Sequence, residues 1–147
     1  MGQALAGHVQ CPLAIAAALK EQSFGQYDGM TKAHPAREHP DHFLALFSHD
    51  TAFCPPGGES FACASQRILH FVYKKKAPAT HQTFCVVTPG QVLQGMIALL
   101  RDGNLEYFNR YAQPNASYTV LEGGGGHGVT LAGGSPPTCL RCLRWIE

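Results

Sequence analysis

Residues 83–100, TFCVVTPGQVLQGMIALL, admit few local folds. Residues 84–88 are an apolar and β-branched run, the composition of a buried strand. Pro89-Gly90 break the run. From Gln91 the apolar residues Val92, Met96, Ile97, Leu99 and Leu100 recur at helical spacing. The stretch predicts a strand, a tight turn and a helix in immediate succession. In α/β folds ligands bind beyond the carboxyl ends of strands. The N-terminus of a helix adds free N–H groups and the positive end of the helix dipole, which suit an anion. The turn around Pro89, Gly90 and Gln91 is therefore the first candidate for a ligand site.

Composition narrows what that site serves. Apolar residues make up 45% of the 147 and charged residues 14%, a balance that fits a folded chain with a real core. A net charge of +1 removes any bulk attraction for nucleic acid or anionic lipid. No apolar stretch reaches the ~18 residues of a membrane span. The opening MGQALAGHVQ has no basic region ahead of an apolar core, and Ala6 stands where a myristoyl acceptor motif needs Ser or Thr. The expectation is a cytoplasmic protein with no nucleic-acid or membrane partner. Six cysteines in that setting read as reduced thiols, with Cys54, Cys63 and Cys85 as small packing residues.

Along the rest of the chain, residues 2–9 fit a short helix and residues 13–19, LAIAAAL, fit either a buried strand or a buried helix. Residues 20–30 form a loop, and a helix starts near Pro40-Asp41. Residues 51–58, TAFCPPGG, form a second loop. Residues 59–76 predict a long helix with Ala62, Ile68, Leu69, Val72 and Tyr73 on its apolar face and Glu59 favouring its start. Residues 105–111 predict a short helix, and residues 117–121 alternate like a strand. A loose GGGGHG run follows; residues 129–132 are read as a strand pairing back, and residues 138–147 suggest no architecture. The expected division is an α/β domain over 1–122 and a Gly-rich, irregular tail over 123–147.

LKEQSFGQYDGM, PPGGES, a helix with Arg67, VVTPGQVLQGMIALL and NASYTVLE occur in the order found in the histidine phosphatase (phosphoglycerate mutase-like) superfamily, which this chain resembles over about residues 19–122. The resemblance implies a three-layer α/β fold with a largely parallel sheet flanked by helices. It implies phosphomonoester hydrolysis or phosphoryl transfer through a phosphohistidine, on small phosphomonoesters or sugar phosphates, with no cofactor. Glu21 matches the acid/base carboxylate, Gly90 matches the glycine of the second-histidine turn, and Glu59-Ser60 match a helix start of structural role. The family's Arg-His-Gly segment has no match, which makes the fold incomplete relative to the family. Pro89 occupies the position of the second histidine.

A phosphoenzyme requires an imidazole with a free nitrogen and donors that neutralise the developing charge. Proline supplies neither. The expectation is a member with impaired catalysis, its ligand a small phosphorylated molecule. The alternative is a non-catalytic phosphate-ligand or protein-interaction module, self-associating through an open sheet edge. Two further patterns are weaker. Cys139-x-x-Cys142 with His8-x-x-Cys11 has the composition of a zinc site, although isolated thiols are the simpler reading. His34, His39 and His42 could ligate a metal, although a solvated His-rich face is the simpler reading. His127 has no partner in view. No Walker loop, Gly-x-Ser-x-Gly elbow or His-Glu-x-x-His is present.

Overall fold

A computed structural model describes residues 2–47, 50–76, 84–115, 117–124, 128–134 and 143–146, the last three stretches from Glu122 onward as backbone path. Its helices are α1 (Gly2–Val9), α2 (Ala33–Glu38), α3 (Pro40–Phe47), α4 (Phe61–Lys76) and α5 (Gly90–Asp102). Its strands are β1 (Cys85–Val86), β2 (Thr119–Gly124), β3 (Gly128–Gly134) and β4 (Leu143–Ile146). None of these helices is long and apolar enough to cross a membrane.

The core is the crossing of α4 and α5. Ala64, Ile68 and Val72 recur every four residues on α4 and are at most 1% exposed; Val92, Leu93, Met96 and Ile97 answer them from α5. Burying each large side chain contributes about 1.5–3 kcal/mol, so this contact dominates the packing. The helices approach closely because position 95 is glycine. A Cβ there would lie 2.8 Å from Phe61 Cζ and 2.9 Å from Ser65 Cβ. Ser65 is fully buried and satisfies its hydroxyl on Phe61 O at 2.8 Å. The inner face of α4 is rotated from the expected one: Tyr73 is 41% exposed, Cys63 is also exposed, and Ala64 and Ser65 face inward. α5 ends as its sequence predicts, with Gly103 in the left-handed conformation and its N–H on Leu99 O.

The strands form one sheet in the order β1-β4-β2-β3. β2 and β4 pair parallel; β1 with β4 and β2 with β3 pair antiparallel. The described sheet is thus mixed, where a largely parallel one was expected. The reason is connection length: only three residues join β2 to β3, too few for the crossover that a parallel pair needs. The expected pairing back of residues 129–132 is therefore a hairpin. β4 comes from a stretch in which the sequence suggests no element, and it occupies the slot between β1 and β2. Residues 13–19 are neither the expected strand nor a full helix. They hold no regular element before a single 3-10 turn, Ala17–Leu19, and leave Ile15 92% exposed.

The cysteines depart from the expected set of packed, reduced thiols. Cys11, Cys54 and Cys63 are free but exposed. Cys85 is disulfide-bonded. Cys139, Cys142 and His127 lie outside the described residues.

Candidate functional site

Two loops meet at the start of α4. Gly25 has φ +57, and a Cβ on it would run into Pro56 O and lie 2.5 Å from Gly58 N. A Cβ on Gly58 would lie 2.6 Å from Ser23 O. Glycine at both positions lets the two backbones touch. Gln26 N then donates to Pro56 O, and Glu59 N donates to Ser23 O, each at 3.0 Å. Gln22 Nε2 donates to Glu59 O at 3.0 Å. Ser60 stands just before α4, and its hydroxyl accepts from Cys63 N at 3.1 Å, an N-cap.

Arg67 fastens this junction. Its Nε and one Nη donate to the Glu59 carboxylate at 3.1 and 2.7 Å. Its remaining contacts are the carbonyls of Ala18, Lys20 and Glu21 at 2.7, 3.1 and 3.4 Å. These five bonds match the five N–H donors of a guanidinium. Partial burial alone would raise the Glu59 carboxyl. The Arg67 hydrogen bonds and charge, with help from Ser23 N–H and the Lys20 charge, outweigh it and hold the group below the usual carboxylate range.

The turn of interest joins the same junction. Thr88 Oγ donates to Leu19 O at 3.0 Å, which brings the residue before Pro89 against the loop that carries Glu21. Pro89 caps α5 in an extended conformation with no side-chain bond. The first internal bond of α5 is Leu93 N to Pro89 O at 3.3 Å. The N–H groups of Gly90, Gln91 and Val92 therefore precede the helix's own ladder.

A cavity of about 350 Å3 opens beside this turn. Gly90, Gln91 and Gln94 of α5 form one wall, with Gln22 next to them. Phe61 and Phe108, 4.6 Å apart at their ring centroids, form the apolar floor. Phe53 and Asp50 close another side. Asp50 is the one charged side chain among the described lining residues, and none of them is Lys, Arg or His.

Of the residues singled out from sequence, Gly90 and Gln91 line the cavity, Gly90 buried and Gln91 exposed. Glu21 and Pro89 are not in the lining. Each lies one residue from a lining position, Gln22 and Gly90 respectively. The half-buried Glu21 carboxylate accepts from the adjacent Gln22 N–H at 3.0 Å. His34 and His39 are exposed, as expected of a solvated His-rich face, and His42 is half-buried in an aromatic cluster. His42 Nδ1 pairs with the buried Tyr27 hydroxyl at 2.5 Å, stacks with His39 and tilts against Phe53. Among the described residues no group of three or more His, Cys, Asp or Glu side chains is placed to hold a metal ion.

Sequence reasoning passed over Arg67 as the organiser, and Asp50 and Gln94 as wall residues. Glu59 and Arg67 are eight residues apart, outside the i,i+3 and i,i+4 rule that identifies helical ion pairs. Asp50 and Gln94 carried no motif.

Residues 2–133 match the family model described as histidine phosphatase superfamily (branch 1). No curated protein matches the chain.

Proposed function

The chain belongs to the histidine phosphatase superfamily, and we propose that it is a member with impaired phosphoryl chemistry. Its ancestral reaction on this reading is hydrolysis or transfer of a phosphoryl group through a phosphohistidine, with small phosphorylated molecules as the ligand class. The strand–turn–helix unit is the part of a three-layer α/β scaffold that would have carried that chemistry.

The observation that carries the reading is Pro89 at the head of α5, where the family resemblance puts a histidine. Proline has no N–H and no titratable group. It can neither stabilise a phosphoryl transition state nor exchange a proton with it. Two further observations support it. The described lining of the adjacent cavity holds no cation. Arg67, which contacts the Glu21 carbonyl, has its five donors engaged within the protein. Glu21 alone can pass a proton but cannot neutralise a phosphate.

The test is release of p-nitrophenol from p-nitrophenyl phosphate by the chain, by Pro89→His and by Glu21→Ala. The expected rate is buffer background in all three, because the Arg-His-Gly segment that carries the family's nucleophile still has no match. Turnover by the unmodified chain that Glu21→Ala abolishes would overturn the reading. A second reading keeps the cleft as a binding site without chemistry. The cavity itself favours it, with the N–H groups of the first turn of α5 at its wall.

A further inference from the structure

Three side-chain oxygens in the cavity are uncommitted hydrogen-bond acceptors. Gln22 is 6% exposed, and its Nε2 is fixed on Glu59 O. Its Oε1 therefore remains, and it accepts no bond from the described residues. A buried carbonyl without a donor is costly, which makes Gln22 a group that wants a ligand. Gln94 repeats the pattern: its Nε2 donates to Phe108 O at 3.0 Å and to Asn109 Oδ1 at 3.4 Å, leaving Oε1 over. Asp50 uses Oδ1 on Ala52 N and Phe53 N, leaving Oδ2 over. All three side chains line the cavity, as do Phe53 and Phe61.

A phosphate dianion is itself acceptor-only: the first N–H groups of α5 could donate to it, but the same cavity would set three acceptors, one of them charged, and no described cation against it. A hydroxyl can donate to each of them and accept from Gln91 or from the first N–H groups of α5. Ring faces suit the C–H faces of a saturated ring or chain. Resting on the reading of impaired chemistry, we propose that this cleft binds the uncharged, polyhydroxylated part of a small molecule, and that a phosphate group adds nothing to its affinity. A volume of about 350 Å3 accommodates a ligand of monosaccharide or cyclitol size.

The test is calorimetric titration of the chain with glucose and myo-inositol, each beside its monophosphate, and with inorganic phosphate as competitor. At least one neutral compound is expected to saturate, with its monophosphate binding no more tightly and inorganic phosphate failing to displace it. Gln22→Leu, which removes both donor and acceptor, is expected to weaken binding roughly tenfold, the effect of one buried hydrogen bond. Gln91→Ala, at an exposed position, is expected to weaken it several-fold. It keeps the test decisive if Gln22→Leu does not fold.

The proposal is overturned if neither neutral compound saturates, if a monophosphate binds tenfold more tightly than its neutral partner, or if both variants bind as the parent does. Phosphate release followed in the same titrations separates the two readings. Turnover would remove the impaired-chemistry reading, whereas absent neutral binding would remove this one.

Discussion

The Arg67 junction and the Pro89 turn lie side by side, tied through the Thr88–Leu19 bond, yet they are built from opposite materials. The junction is ionic. An ion pair, three backbone carbonyls and two glycines pressed against backbone hold the loops to α4. The turn is capped by proline, backed by Gly95 and the apolar face of α5, and opens on a cavity whose described lining has a single charge. The difference teaches where charge acts in this protein. Arg67 secures the architecture, and the cavity beside the turn has no cation among its described lining residues.

The largest expected effect breaks the ionic side. Arg67→Ala removes five hydrogen bonds and leaves the half-buried Glu59 carboxylate without its partner, so unfolding by denaturant should lose about 2–4 kcal/mol. A loss below about 1 kcal/mol would show that the junction is not what holds the loops. On the apolar side, Gly95→Ala drives a methyl against Ser65 and Phe61. Overpacking costs about 1–3 kcal/mol and the better helix propensity of Ala offsets up to about 1, giving a net loss of about 1–2 kcal/mol. Adding Ser65→Gly should recover part of that loss; no recovery would place the crowding elsewhere.

The smallest effect sharpens the contrast through pH. The folded-state pKa of Glu59 is lowered, so its contribution is fully present above the ordinary value of about 4.5 and is lost as pH falls through the lower folded value. Stability of the chain should therefore decline below about pH 4.5, and Arg67→Met should flatten that part of the profile, whereas Gly95→Ala should leave its shape unchanged. Equal flattening by both variants would erase the distinction between the two regions.

What the sequence made legible was local. The unit from β1 to Gly103 reads directly from one strand-like run, one Pro-Gly break and one helical period, because each of those signals lies within a few residues of the next. Ser60 as part of a helix start came from the family resemblance, with Glu59 alone favouring that start from local signals. The remainder depends on partners far apart in sequence. β4, with the residues Leu-Arg-Trp-Ile, becomes a strand by pairing with Cys85-Val86 and residues 119–122 on either side, and no periodicity in four residues announces that. The pairing of Cys85 could not be deduced from spacing. The Arg67 contacts join residues 18–21, 59 and 67. The cavity wall gathers Gln22, Asp50 and Gln94 from three separate stretches of the chain. A motif names the residues of a reaction; it does not name the amides and rings around it.

Because Arg67 draws its bonds from two stretches of chain at once, those stretches cannot loosen one at a time without stranding a donor or the Glu59 carboxylate. The backbone amides of residues 22–26 and 58–59 should consequently exchange with solvent as a single opening unit, at one common free energy, and not fray residue by residue as exposed loops ordinarily do.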